Sequence, residues 1–362
     1  MMLTIHTLFN DPNIVNAVIQ RVLQTRKDTI YWQQYLDFRR TTTRVFKDYI
    51  GQVTGVMAGS INSRYGEKPI RERRNIGSGY GEIAYLGDAY QISIDRLSEL
   101  QDLIDKFNAA KPADQVAAMQ EIVNFIYDDY RQVLLAAHKR MDIIVGSLLM
   151  TGEATVKNKD DNAGGVDLLD IELPFKFIKP DTGAKTNFIT YLQQQINALK
   201  ADYGNFQKMI MSRGTFVKNI IGSAEFGDKF KMQLTGNEMY LSTGLITSQL
   251  ASQVFTGIGL PAIEIKEDYV KDQTGKNVQI YADDRITLLP QDKVGYMRFH
   301  TPYEAVDGVP GRNYTQADGD MLISGYKDKN GRYLEYTAEW IPQITNPNLI
   351  VNFDLSTMNA WQ

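Results

Sequence analysis

The sequence predicts an α+β fold organised around one very long helix. Three observations carry this reading. Apolar residues recur every three or four positions between 113 and 151, the spacing that places them on one helix face. The segments before and after that stretch are rich in aromatic and β-branched residues, which favour extended chain. Strands and helices do not alternate in the regular rhythm of a doubly wound parallel sheet.

Taken in order, "NDPNIVNAVIQRVLQ" (10–24) opens with a helix signal. Asn10 or Asp11 can cap it, Pro12 suits the first turn, and Ile14, Val18 and Val22 share a face. From Thr29 to about Ile92 no helix is expected. "TIYWQQYLDF" and "TTTRVFKDYI" read as extended chain. Residues 51–82 are rich in glycine, carry four arginines and hold few large apolar groups, so they cannot build a core of their own. Such a stretch is either a surface loop or a two-stranded finger satisfied by another subunit, and the residues leave both readings open.

"DRLSELQDLIDKF" (95–107) places Leu97, Leu100, Ile104 and Phe107 on one helical face. Pro112 then opens the long helix. In it Val116, Met119, Ile122, Ile126, Tyr130, Val133, Ala137, Met141, Ile144 and Leu148 recur at helical spacing, and Gly152 stands where a left-handed C-terminal cap belongs. About 38 residues at ~1.5 Å each make a rod of roughly 57 Å. It suits the spine of a flat subunit, a coiled coil or a bundle member. Residues 153–177 have strand-like ends around a polar glycine loop, and 187–203 form an amphipathic helix. "QKMIMSRGTFVKNIIGS" (207–223) reads as a buried strand turning into a helix, capped by Ser212 or Thr215. Short extended runs follow. Residues 262–269 and 278–289 read as a hairpin around a Thr274-Gly275-Lys276-Asn277 turn, and Asn330-Gly331 marks a second hairpin within 326–340.

Composition bounds the function. With 43% hydrophobic and 23% charged residues among 362, the chain can bury a large core. Its 39 basic and 43 acidic residues give a net charge of -4, without the cationic excess that wrapping nucleic acid requires. There is no cysteine, which excludes disulfides, thiolate nucleophiles, zinc ribbons and iron–sulfur clusters and favours an intracellular protein. No apolar run reaches the ~18 residues of a membrane span. The start has no basic n-region, so no signal peptide is expected and the chain is expected to be made in the cytosol.

Catalytic chemistry finds no footing. A calcium loop centred on Gly275 would need oxygen ligands at Val270 and a glutamate at Tyr281. "GSGYG" (77–81) lacks the spacing of a dinucleotide fingerprint. His6, His138 and His300 have no catalytic or metal-binding neighbour, and His138, beside Lys139 and Arg140, reads as a solvated or interface residue. The adjacent aspartates at 128–129, 160–161 and 283–284 diverge in any regular structure. "RERR" (71–74) is a basic loop tip, suited to an acidic neighbour before nucleic acid. Neither enzyme activity nor a cofactor or metal is expected.

Several motifs occur in the order found in one family. "IRERRNIGSGYGEIAYLGDAYQISIDRLSEL", "SLLMTGEATV", "MIMSRGTFVKNI", "IEIKEDYVKDQTGKNVQIYADDRITLLPQDKVGYMRFHTP" and "LEYTAEWIPQITNPNLIVNFDL" resemble segments of the lambda-like major capsid proteins of tailed bacteriophages, the coat protein E family. The resemblance implies the Hong Kong 97-type capsid fold. It implies an N-terminal arm over 1–28 lying across a neighbour, and an extended loop within 29–92. A peripheral domain would take 93–186 and 321–345 with the spine helix at 113–151, and an axial domain 187–320 and 346–362. It implies a structural protein whose pentamers and hexamers close into an icosahedral head shell around double-stranded DNA, without sequence-specific binding. Scaffolding is expected from a separate protein, with a portal and a decoration protein as further partners, assembly in the host cytoplasm and a final place in the virion. Arg71, Arg73 and Arg74, with Lys68 and Tyr80, are the expected inter-subunit contacts. Lys68 lies where some relatives of the fold crosslink, but its surroundings in sequence do not support that reaction. The helical stretch ahead of the loop departs from the family pattern. An encapsulin-type compartment is the nearer rival, and a carboxylate-based enzyme the more distant one.

Overall fold

Two helices open the chain in a computed structural model that describes residues 2–25, 29–50, 77–156, 169–223, 225–226, 248–272, 275–328 and 331–359. Helix α1 (Ile5–Asn10) starts on a capping box in which the Thr4 side chain accepts from the Thr7 amide. Helix α2 (Pro12–Thr25) follows, with the Asp11 carboxylate accepting the Asn13 amide at 2.9 Å. Leu8, Phe9, Val18, Ile19 and Val22 are all buried. The stretch expected as an arm on a neighbour therefore packs into this chain's own core, and its apolar stripe is already used there.

A 3-10 turn at Trp32–Gln34 leads to β1 (Leu36–Arg40), β2 (Val45–Ile50), β3 (Gly77–Glu82) and β4 (Ala84–Ile92). Strands β2 and β3 pair antiparallel from Val45↔Glu82 to Ile50↔Gly77. The root of the glycine- and arginine-rich tract is thus a two-stranded ladder. Helix α3 (Ile94–Ala109) is capped by Ser93 and buries Leu100 and Ile104. Helix α4 (Gln115–Thr151), the spine, has 37 residues and ends on Gly152 at φ 72. Its buried stripe runs through Ile122, Ile126, Tyr130, Val133, Ala137, Met141, Ile144 and Leu148, whereas Val116 in the first turn is exposed. His138 is not solvated. It shares the buried row of Leu134, Met141 and Val145, and its ring lies 4.9 Å from Trp340 and 5.7 Å from Trp32. Helical phase, three and four residues from those apolar positions, outweighs its basic neighbours.

Strands β5 (Glu153–Val156) and β6 (Leu169–Glu172) pair antiparallel, and β7 (Lys176–Ile178) follows. Helix α5 (Phe188–Tyr203) leads to β8 (Lys208–Ser212) and α6 (Arg213–Phe216), which continues as a π turn over Val217–Ile221. Ser212 caps this helix by accepting the Thr215 amide at 3.1 Å. Helix α7 (Ser248–Gly257) falls where extended chain was expected. Strands β9 (Ala262–Lys266), β10 (Tyr269–Lys271), β11 (Asn277–Gln279) and β12 (Arg285–Leu289) cover the first expected hairpin. Only its tip is one: β10 pairs with β11, while β9 and β12 lie on opposite sides of β8. The burial of both outer strands in a five-stranded sheet outweighs the pairing of sequence neighbours.

The chain closes with β13 (Gly295–His300), β14 (Tyr314–Gln316), β15 (Leu322–Asp328), β16 (Gly331–Ile344), β17 (Val351–Asp354) and the short helix α8 (Ser356–Asn359). Strands β15 and β16 form the second expected hairpin. Pairing closes at Asp328↔Gly331, so Gly331 already belongs to the strand, while Asn330 lies outside the described residues. The first sheet runs β1-β13-β16-β15-β14, with β4 along the other side of β16. It packs with α1 to α4 into one apolar core. The second sheet, β7-β17-β12-β8-β9, packs with α5, α6 and α7 into another. The β10–β11 tip leans on the spine, where the absence of a side chain at Gly146 admits Ile280.

Candidate assembly interface at the root of the two-stranded ladder

Strand β16 alternates sharply at its centre. Trp340 points to the spine, with its ring 5.1 Å from Phe38 and its indole N–H donating to the Gly319 carbonyl at 2.8 Å. Glu339 points the other way. In the register it stands between His300 of β13 and Tyr85 of β4, and side chains of such a row share one sheet face.

Glu339 is only 3% exposed. A buried carboxylate needs polar partners, and two side chains supply them. Arg44 grips it with both nitrogens, Nη2 to Oε1 at 2.7 Å and Nε to Oε2 at 3.0 Å. The His300 ring Nδ1 lies 2.9 Å from Oε2. Arg44 immediately precedes β2, and its carbonyl accepts the amide of Ile83 just after β3. One residue therefore ties both strands of the β2–β3 ladder to the first sheet. The fork geometry fixes direction as well as position.

Tyr85, opposite Glu339 in the register, is one of several exposed apolar groups on β4 and on the connection after β13. Tyr85, Tyr303, Val306 and Val309 are 54%, 57%, 83% and 49% exposed. Two acids sit among them. Glu304 Oε1 accepts from the Tyr85 hydroxyl at 2.9 Å, and Asp307 accepts from the Tyr303 hydroxyl at 2.8 Å. Burial, with the neighbouring Glu304, raises the Tyr85 pKa, so this hydroxyl stays protonated and donates.

Two other buried charges hold structure. The Asp142 carboxylate, in the spine, accepts the Trp32 amide at 2.9 Å and meets Lys139 at 3.2 Å. Burial pushes its pKa up to about 6 against these partners. Lys266 is buried under the rings of Tyr31 and Tyr35, bonds to Gln34 and meets Glu264 at 2.6 Å. Burial would raise the Glu264 pKa, but Lys266, Lys208 and the Tyr35 hydroxyl hold it below the usual carboxylate range. This cluster ties the chain before β1 to the second sheet.

Of the contacts expected from sequence, Lys68, Arg71, Arg73 and Arg74 lie outside the described residues. Tyr80 lies on β3, paired with Lys47. The Arg44–Glu339–His300 cluster was not anticipated. Its one signal is the lone acid in the apolar run "TAEWIPQI", since an acid inside a buried strand requires a partner. Among the described residues no group of three or more His, Asp or Glu could hold a metal ion, and no helix is long and apolar enough to cross a membrane.

No family model matches the sequence, and no curated protein matches it. Solved structures do. A protein of E. coli CFT073 assigned as a prophage capsid protein matches with a TM-score of 0.58 and 13% identity, over 96% of this chain and 99% of its own. A phage-related protein of Bordetella bronchiseptica RB50 matches less well, with a TM-score of 0.48 and 9% identity over 95% of this chain and 97% of its own. A chain of the satellite phage P4 procapsid gives 0.47 and 8% over 94% and 90%. Over nearly its whole length, this chain shares the fold of the E. coli prophage protein.

Proposed function

We propose that this chain is a major capsid protein: a structural subunit with the Hong Kong 97-type fold that assembles into the icosahedral head shell of a tailed phage. The observation that carries the reading is the match in fold to a prophage capsid protein across 96% of this chain and 99% of the other. Fold alone does not fix function, and the order of sequence motifs supports the same reading. In it, residues 93–186 and 321–345 form the peripheral domain, and 187–320 and 346–362 the axial domain, where copies meet in pentamers and hexamers. Scaffolding, portal and decoration proteins would be its partners. The slight excess of acid, -4 overall, keeps the shell from adhering to packed DNA.

The mechanism is mechanical. Each subunit holds out a ladder whose root is fixed by Arg44 and Glu339. Its outer part reaches the next subunit, and many modest contacts close symmetrically into a shell. Deleting residues 55–80 tests this directly. The expected product is a folded, soluble subunit that forms no shells, read by sedimentation and electron microscopy. Normal shells from the deletion would refute the role given to the ladder.

A further inference from the structure

Lys266 is a buried amine that the shell reading leaves without a role. It lies on β9 and is 6% exposed. Its Nζ donates to Gln34 Oε1, in the 3-10 turn before β1, and lies 2.6 Å from Glu264 Oε1. The rings of Tyr31 and Tyr35 are each centred 5.2 Å from the same nitrogen. The Tyr35 hydroxyl donates to Glu264 Oε1 at 2.8 Å, and Lys208 meets Glu264 Oε2 at 3.0 Å. A nucleophile, a carboxamide carbon and a proton acceptor thus share one covered site. A donor on an amide oxygen lies within about 4 Å of the carbonyl carbon, so a shift of about 1 Å brings Nζ into attack range.

We propose that Lys266 and Gln34 become joined by an amide bond within one chain. Glu264 takes a proton from the Lys266 ammonium, and the neutral Nζ attacks Gln34 Cδ. The Nζ–Cδ bond forms and the Cδ–Nε2 bond breaks. Nε2 leaves as ammonium, carrying the two protons that Nζ gives up, so no oxidant or further reactant enters. The site favours the product. An ammonium in a covered site is deprived of its hydration, and conversion to an amide removes that charge. Glu264 is not stranded, because Lys208 and the Tyr35 hydroxyl stay on it. The partners that hold its pKa down also make it a weak base, so the bond forms slowly. The bond ties the chain before β1 to the edge strand of the second sheet, 232 positions away. It is a covalent staple in a chain that has no cysteine.

Intact-mass spectrometry and peptide mapping of the full chain test this. The parent is expected to become lighter than its sequence mass by one ammonia, in a fraction that grows with incubation and grows faster at alkaline pH. Digestion should release residues 34 and 266 in one linked species, an observation that needs no variant. Lys266→Arg keeps the charge and removes the amine, and it should hold its full mass. Glu264→Gln keeps the shape and removes the proton acceptor, and the linked fraction should fall by about tenfold or more. A parent that keeps its full sequence mass after prolonged incubation overturns the proposal. So does an ammonia loss without the linked peptide, or one that persists in Lys266→Arg.

Discussion

Arg44 and Glu339 stand 295 positions apart in sequence and meet in a two-point ion pair at 2.7 and 3.0 Å. The acid is buried and the guanidinium is half exposed. Removing the arginine leaves a buried carboxylate held by His300 alone. Arg44→Ala should therefore cost about 1–3 kcal/mol, the range for a buried group that loses its charged partner. The larger effect should be local, because the pair fixes the ladder root. Amide exchange at 44–50 and 77–83 should accelerate well beyond that of the spine. Exchange that rises uniformly, or not at all, would show that the root is held by its backbone pairing.

Gly146→Ala separates helix propensity from packing. Alanine at an ordinary helix position would stabilise by about 0.5–1 kcal/mol. Here the added methyl would lie 2.6 Å from Ile280 Cγ2 and against the Ile280 carbonyl oxygen. Overpacking of that kind costs about 1–3 kcal/mol. The prediction is a net loss of roughly 1–2 kcal/mol in chemical denaturation, with the β10–β11 tip loosening first.

Asp142 should leave a signature in pH. Burial raises its pKa to about 6 from an ordinary value of 3.8. Between those two values the folded chain binds more protons at this site than the unfolded one, so this group's contribution to stability falls as pH rises. The decline should run from about pH 4 to about pH 6 and then level off, reaching on the order of 3 kcal/mol in full. Asp142→Asn keeps an oxygen for the Trp32 amide and removes the titration. The stability difference between the variant and the parent should therefore shift in the variant's favour across that window. A difference flat in pH would place the carboxylate in contact with water.

Much of the first core was legible in sequence because its signals are local. The spine's stripe and the Gly152 cap arise from neighbours within four residues, as does the Ser212 cap on α6. What escaped depends on distant partners. His138 looks solvated beside Lys139 and Arg140 until Trp32, Phe38 and Trp340 are brought around it. Strands β9 and β12 read as partners until β8 enters between them. Helix α7 was missed because its Ser and Thr residues and its closing Gly are weak helix formers and only Ala251, Val254 and Phe255 mark its buried face. The Arg44–Glu339 anchor combines both difficulties: a lone acid marks one end, and nothing nearby in sequence marks the other.

Electron microscopy of the full chain, expressed alone and together with a phage scaffolding protein, tests the central claim most directly. The account predicts closed icosahedral particles built from pentamers and hexamers. A chain that remains a soluble monomer or dimer under both conditions would contradict it.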